Sequence, residues 1–193
     1  MKYHFSLFLF TALLSSCFGQ VGKLSGRILS KLGNKPTMES VWIQDSENQI
    51  FTQSDSLGYY SIDSLIMAKS YTFQFLAFGY PITEKTVQIT QAHDSLNIIL
   101  NPNCSYDSLK AHQDWQEGKA RLLLIGSIAP RANSEADQNF EKSFNIEYYD
   151  FGCTPPALDC VIDYNKQIFK LLDSKYGDLW RSRVRADVIG LKH

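Results

Sequence analysis

The chain has 193 residues, enough for one ordinary domain or two small ones, and its 44% hydrophobic and 20% charged content is that of a chain able to bury a core. A formal net charge of -1 excludes an electrostatic case for nucleic acid or for an anionic membrane surface. After the first twenty positions no apolar run approaches the ~20 residues that a spanning helix needs.

Residues 1–20 read as an export signal, with Lys2 near the start, an apolar run over 5–14 (FSLFLFTALL), and small residues after it. Two processing routes are open. A signal peptidase would cut after Gly19, with Cys17 at the −3 position. Alternatively, LSSC at 14–17 is similar to a bacterial lipobox, which would make Cys17 a lipidated N-terminus and the chain's one attachment to a membrane. Either route sends the chain to the periplasm, the outer membrane or the cell surface, where disulfides persist. Cys104, Cys153 and Cys160 remain beyond the signal. That odd number permits at most one bridge among them.

Residues 21–100 alternate with a period of two. Leu24, Gly26 and Ile28 share a face, as do Val41 with Ile43 and Tyr60 with Ile62; Tyr71, Phe73, Phe75 and Ala77 follow, then Val87 with Ile89, and Leu96, Ile98 and Leu100. Strands with one buried face have this pattern. Breaks at 33–34, 45–48, 55–58 and 79–81 divide the segment into about seven short strands, which predicts an antiparallel β-sandwich. The order KLSGRILS, TQSDSLGYYSIDSL, YTFQFLAFGYPITEKTVQI and LNIIL resembles the carboxypeptidase regulatory-like domain, a transthyretin-like sandwich. Ser54, Asp55, Gly58 and Tyr60 match its central turn, and Gly79 with Tyr80 match its later pair. The stretch at 35–39 (KPTME) departs from the family's first loop. The resemblance implies architecture and an envelope location, with no catalysis. Asp55 and Gly58 are read as turn residues, because Asp closes turns and Gly supplies positive φ.

From residue 101 the periodicity changes, and 101–193 reads as a small α/β domain. A helix over 107–117 is stopped by Gly118 and is expected to carry Leu109 and His112 on its apolar side. The run RLLLI at 121–125 reads as a strand buried on both faces. Ser134 caps a helix with Ala136, Phe140 and Phe144 on one stripe, and a strand over 146–151 completes a βαβ unit, which requires parallel strands. A long helix follows with Val161, Tyr164, Ile168 and Leu171 or Leu172 inward and Gly177 at its end; Asp178 would cap a last short helix holding Trp180. This half resembles an uncharacterised segment of exported Bacteroidetes-type proteins through Phe140-Glu141, Phe144, Gly152-Cys153, Tyr164-Asn165, Phe169, Tyr176-Gly177, Trp180-Arg181 and the run RADVIG at 185–190. No activity comes with that resemblance.

Ligands of parallel sheets bind beyond the strands' carboxyl ends. Ser127, Arg131, Cys153 and Thr154 lie there, next to helix N-termini that favour anions. An enzyme reading places a site at Ser127, Arg131 and Cys153, with His112 as the available base. It lacks a histidine placed beside the thiol, since His93 falls in the β half and His193 is the last residue. Metal is disfavoured because Cys153 and Cys160 are seven apart with no paired histidines, and Asp159 with Asp163 reads as a helix-start pair. A Cys153–Cys160 disulfide around Pro155-Pro156 is preferred, with Cys104 as a competing partner for either. Arg181, Arg183 and Arg185 read as a solvated cationic cluster. The sequence therefore predicts a non-catalytic binding, docking or assembly role with an envelope protein or surface ligand, and no cofactor.

Overall fold

The computed structural model describes residues 20–191 apart from 125, 127, 128, 130, 153 and 155. The signal and Cys17 lie outside the described residues. Among those described, two sheets and a separate β-pair combine with three α-helices in a mixed β and α/β chain with two distinct apolar cores.

The first core sits between two sheets. One contains β1 (Val21–Ser30), β4 (Tyr59–Ile66), β7 (His93–Ser95) and β8 (Ile98–Leu100). The other is ordered β3 (Ile50–Gln53), β2 (Trp42–Asp45), β5 (Ser70–Leu76), β6 (Thr83–Gln88), all antiparallel. The predicted alternation holds. Leu24, Ile28, Ile43, Phe73 and Phe75 are fully buried, and Tyr60 meets Phe75 edge-on across the two sheets at 5.9 Å.

Two expectations change. The described strands here number eight, and β7 and β8 pair with β1 in parallel, not antiparallel. The register Lys23↔His93 continues as Ile28↔Ile98, so β7 and β8 form one line interrupted at Leu96-Asn97. Gly26 makes that interruption fit, since a Cβ there would sit 1.9 Å from the Leu96 carbonyl oxygen. The first and last strands of the β half run in the same direction, and alternation alone carries no information on strand direction. The Asp55–Gly58 turn is as expected: Asp55 Oδ1 accepts the Leu57 and Tyr59 N–H groups at 2.8 Å, and Gly58 has φ +82° with no room for a Cβ.

The second core holds the βαβ unit. β9 (Arg121–Leu124) and β10 (Glu147–Asp150) are parallel, with α2 (Glu135–Phe144) between them. Leu122, Leu123 and Leu124 are all buried, as the unbroken apolar run predicts. Ser134 and Asp137 form a reciprocal capping box on α2. The inward stripe is Asp137, Phe140 and Phe144, whereas Ala136 is exposed. α1 (Ser108–Gln116) is capped by Asp107, but it buries Ala111 and Asp114; Leu109 and His112 face outward. The reason is the buried Tyr164 hydroxyl, which donates to Asp114 at 2.8 Å and draws that carboxylate inward, where Lys110 pairs with it at 2.8 Å.

α3 (Leu158–Tyr176) organises this half. Val161, Tyr164, Ile168 and Leu172 are fully buried, and Gly177 ends the helix at positive φ. Asn165, also fully buried, accepts from the Leu123 N–H at 2.9 Å and donates to the Leu123 and Ile189 carbonyls at 2.8 and 2.9 Å. Its amide thus completes the β9 edge that β10 does not cover. Asp178 lies inside the 3₁₀ turn Gly177–Trp180, whose start has no side-chain cap. Trp180 is core, stacked on Phe169, with its indole N–H on Asp173. Arg185 is not solvated: it is 5% exposed and grips Asp187 bidentately at 2.6 and 2.9 Å, and Asn133 at 2.7 Å.

The start of α3 ties the two cores together. Asp159 is 1% exposed; its Oδ2 accepts from the Met38 N–H at 3.1 Å and the Tyr80 hydroxyl at 2.7 Å, and Lys35 lies 3.8 Å from Oδ1. Ser30 Oγ, fully buried in β1, is 3.0 Å from the Tyr80 oxygen. Gly79 packs so closely on α3 that a Cβ would lie 2.2 Å from the Ala157 nitrogen. The next residue, Cys160, is bonded to Cys104 with Cα atoms 5.5 Å apart. This replaces the preferred Cys153–Cys160 bridge. α3 points Cys160 back toward the connection after β8, so the competing partner Cys104 takes it; Cys153 lies outside the described residues.

Candidate functional site

Of the residues expected to converge beyond the β9 and β10 carboxyl ends, Arg131 and Thr154 are described. Ser127 and Cys153 lie outside the described residues. Arg131 is exposed and 3.5 Å from Asp137, so its guanidinium serves the α2 capping box. Thr154 is exposed. His112 is exposed, with Gln116 Nε2 3.0 Å from its ring nitrogen one turn along α1. Gly126 at the end of β9 is closed off, because a Cβ would lie 1.8 Å from Asp150 Oδ1. Asp163, read with Asp159 as a helix-start pair, accepts the Ser108 N–H at 2.8 Å at the start of α1. No group of three or more His, Cys, Asp or Glu side chains placed to hold a metal occurs among the described residues.

The polar groups of this half serve one another. Burial pushes the Asp137 carboxyl up, but hydrogen bonds from Ser134 and the Arg185 and Arg131 charges outweigh it and hold the carboxyl below its ordinary range. Arg185 likewise depresses Asp187. Burial raises Tyr148, whose hydroxyl accepts from the Arg185 backbone N–H, to about 12.

A different surface is built but unoccupied by the chain itself. In the β3-β2-β5-β6 sheet the residues between the buried positions point outward. Directly opposed partners share a face, so the pairs Gln44↔Phe51, Gln44↔Gln74 and Gln74↔Glu84 place Phe51, Gln44, Gln74 and Glu84 in one row across all four strands. At a strand spacing of ~4.8 Å that row is about 14 Å long. Gln44 donates to Gln74 at 2.9 Å, and Gln74 donates to Glu84 at 2.6 Å. Thr72 and Thr86 pair in the neighbouring row at 3.0 Å. At the other side Trp42 stacks on Phe51 at 5.0 Å with an interplanar angle of 19°, yet Trp42 remains 45% and Phe51 64% exposed. A depression of about 160 Å³ lined by Thr72, Gln74, Ser46 and Glu47 lies beside the amide row.

None of these residues was singled out from the sequence, although a signal for them existed. In WIQD at 42–45 the alternation that buries Ile43 requires Trp42 to point outward, and a tryptophan on the solvent side of a strand is unusual. A second groove, of about 440 Å³, is lined by Lys31, Leu32 and residues 101–104 at the connection between the halves, and it contains no aromatic side chain.

No family model matches the chain, and no curated protein matches it. Among solved structures it is similar to the Bacillus anthracis TIE protein, at 13% identity and TM-score 0.35, over 42% of this chain and 16% of that one. It is also similar to a putative carbohydrate binding protein from Bacteroides uniformis, at 15% identity and TM-score 0.35, over 45% of this chain and 44% of that one. A third is a DUF3823 family protein from Bacteroides ovatus, at 11% identity and TM-score 0.34, over 46% and 50% of the two chains. The chain thus spans at most half the length of each.

Proposed function

We propose that this is an exported envelope protein with a non-catalytic binding or docking role, built from a regulatory-like β-sandwich domain over 21–100 and a small α/β domain over 101–193. One observation carries the reading. Among the described residues, the buried polar side chains of the α/β half are spent on its own packing and on its seam with the β half, while the outer face of the β3-β2-β5-β6 sheet presents a stacked aromatic pair and a preformed amide row to solvent. Exposed features of this kind mark interaction sites. The export signal over 1–20 supports a periplasmic or surface location. The alternative, an enzyme site at Ser127, Arg131 and Cys153, has no comparable support, since Arg131 and His112 are engaged elsewhere.

The test is fractionation of native cells carrying the wild-type face or a Trp42→Ala/Phe51→Ala variant, each in a Cys17→Ala background so that no lipid anchor holds the chain. The wild type should be retained with the envelope, and the variant should be released in soluble form while keeping its circular dichroism. Equal release of both, or equal retention of both, would refute this role for the sheet face.

A further inference from the structure

From the same sheet face, and resting on the binding role just described, we infer the chemical class of the ligand: an uncharged polysaccharide laid across the β3-β2-β5-β6 strands, stacked on Phe51 and Trp42 and hydrogen-bonded by Gln44, Gln74 and Glu84. A sugar ring has two kinds of surface. Its C–H face is apolar and weakly positive, and it packs on the negative face of an aromatic ring. Its rim carries hydroxyls, each both donor and acceptor, which pair best with side chains that also supply both.

The face offers these two surfaces in that arrangement. Phe51 stands at one end of the row and is 64% exposed even with Trp42 stacked against it, which leaves its opposite ring face open. The row continues into two amides and a carboxylate. Each amide uses one N–H within the row, so a second N–H and carbonyl lone pairs remain for a ligand. Because Gln44, Gln74 and Glu84 already hold one another, little side-chain freedom is left to lose on binding. The row's length of about 14 Å suits an extended chain of sugars and exceeds a monosaccharide.

Charge selects against the other occupants. Across the row Glu84 is the one ionised side chain, and no Lys or Arg joins it. A phosphate or sulfate chain would meet a carboxylate with no cation to offset it. A protein partner would need a wide desolvated apolar centre, whereas the apolar groups of this face, Trp42, Phe51 and the half-buried Leu76 opposite Trp42, gather beside a row of hydrogen-bonding groups. The seam with α3 engages Lys35, Met38 and Tyr80, so it leaves the face open.

The experiment is native affinity electrophoresis of the full exported chain, disulfide intact, through gels containing soluble β-glucan, xylan, mannan or galactan, with dextran sulfate as the charged probe. Titrations with any retarding polysaccharide would be followed by tryptophan fluorescence. At least one neutral polysaccharide should retard the wild type, and dextran sulfate should not. Trp42→Ala and Phe51→Ala should each weaken binding roughly tenfold or more, as truncation of an aromatic anchor does. Gln74→Ala should weaken binding without changing the thermal melt, and it keeps the test decisive if an aromatic variant fails to fold. Retardation by none of the neutral polysaccharides, preferential retardation by dextran sulfate, or binding indifferent to all three substitutions would overturn the inference. If envelope retention still depends on Trp42 and Phe51 while no polysaccharide binds, the glycan assignment fails and the docking role survives. If retention is also independent of them, both fail.

Discussion

The Cys104–Cys160 bridge is the tie whose loss can be weighed most directly. It closes a loop with a sequence separation of 56. In the chain-entropy account, opening a loop of that length returns about 4 kcal/mol of freedom to the unfolded state. For a chain of this size each kcal/mol corresponds to roughly 2–4 °C, so the melting temperature should drop by about 8–16 °C. Cys104→Ala alone would leave Cys160 free to capture Cys153, and the appropriate variant is therefore Cys104→Ala/Cys153→Ala, compared with Cys153→Ala. The double variant should melt lower by the stated amount, and reductant should move the wild type, but not the double variant, by a similar amount. Peptide mapping without reduction should recover Cys104 linked to Cys160. A double variant melting within about 2 °C of the wild type would refute the reasoning, as would a linked Cys153–Cys160 peptide.

Three further outcomes are expected. Asp159→Ala should cost about 1–3 kcal/mol in urea denaturation, because it strands the Met38 N–H and leaves the Tyr80 hydroxyl with Ser30 alone; Tyr80→Phe should then cost less in that background than alone, and additive losses would argue against the shared bond. Asn165→Leu should cost about 2–3 kcal/mol, since it takes the partner from the Leu123 N–H and the Ile189 carbonyl and leaves the Leu123 carbonyl only the 3.4 Å bond from the Ile189 N–H; a loss under about 0.5 kcal/mol would show that the β9 edge is satisfied otherwise. Burial raises the pKa values of Tyr60, Tyr80 and Tyr164, and raises Tyr148 to about 12. A raised folded-state value means stability that is complete below the unfolded tyrosine pKa of ~10 and is lost as pH climbs through the folded values. Melts should therefore be flat to about pH 10 and fall steeply above it, and absorbance at 295 nm should show these tyrosines ionising only with unfolding.

Much of the fold was legible because it is local. Alternation placed Leu24, Ile43, Phe73 and Phe75 in the first core, and the unbroken run at 121–124 marked a strand buried on both faces. Ser134 is legible as the cap of α2, whereas the reciprocal bond from Asp137 is a finding of the structure. Failures occurred where a distant partner decides the outcome. Leu109 and His112 were assigned to the buried side of α1 by apolarity and spacing, but Tyr164, 50 residues away, draws Asp114 inward and turns the helix. Arg185 looked solvated because Asn133, 52 residues earlier, is invisible to any local window. Parallel pairing of β1 with β7 and β8 was missed for the same reason. The candidate face is legible only in part: the alternation that buries Ile43 turns Trp42 outward, but the Phe51 stack and the amide row depend on strand pairings that no local window contains.

Asp159 and Cys160 show how one helical turn can serve two purposes that the sequence presents as one. A carboxylate in the first turn of a helix is ordinarily a dipole partner, and Asp159 occupies such a position. Its oxygens nevertheless reach Lys35, Met38 and Tyr80 of the β half, and α3 begins without any side-chain cap. The resemblance of Gly79-Tyr80 to a sandwich turn acquires a further physical role here: the glycine admits the Ala157 backbone, and the tyrosine supplies the hydroxyl that Asp159 accepts. Cys160 then adds a covalent tie to the chain just beyond β8. Both ties act at the end of the sandwich near Ser30 and the turn after β5; Trp42, opposite Leu76 at that same end, is still 45% exposed, and Phe51 64%. The α/β half is thus held firmly without covering the exposed face.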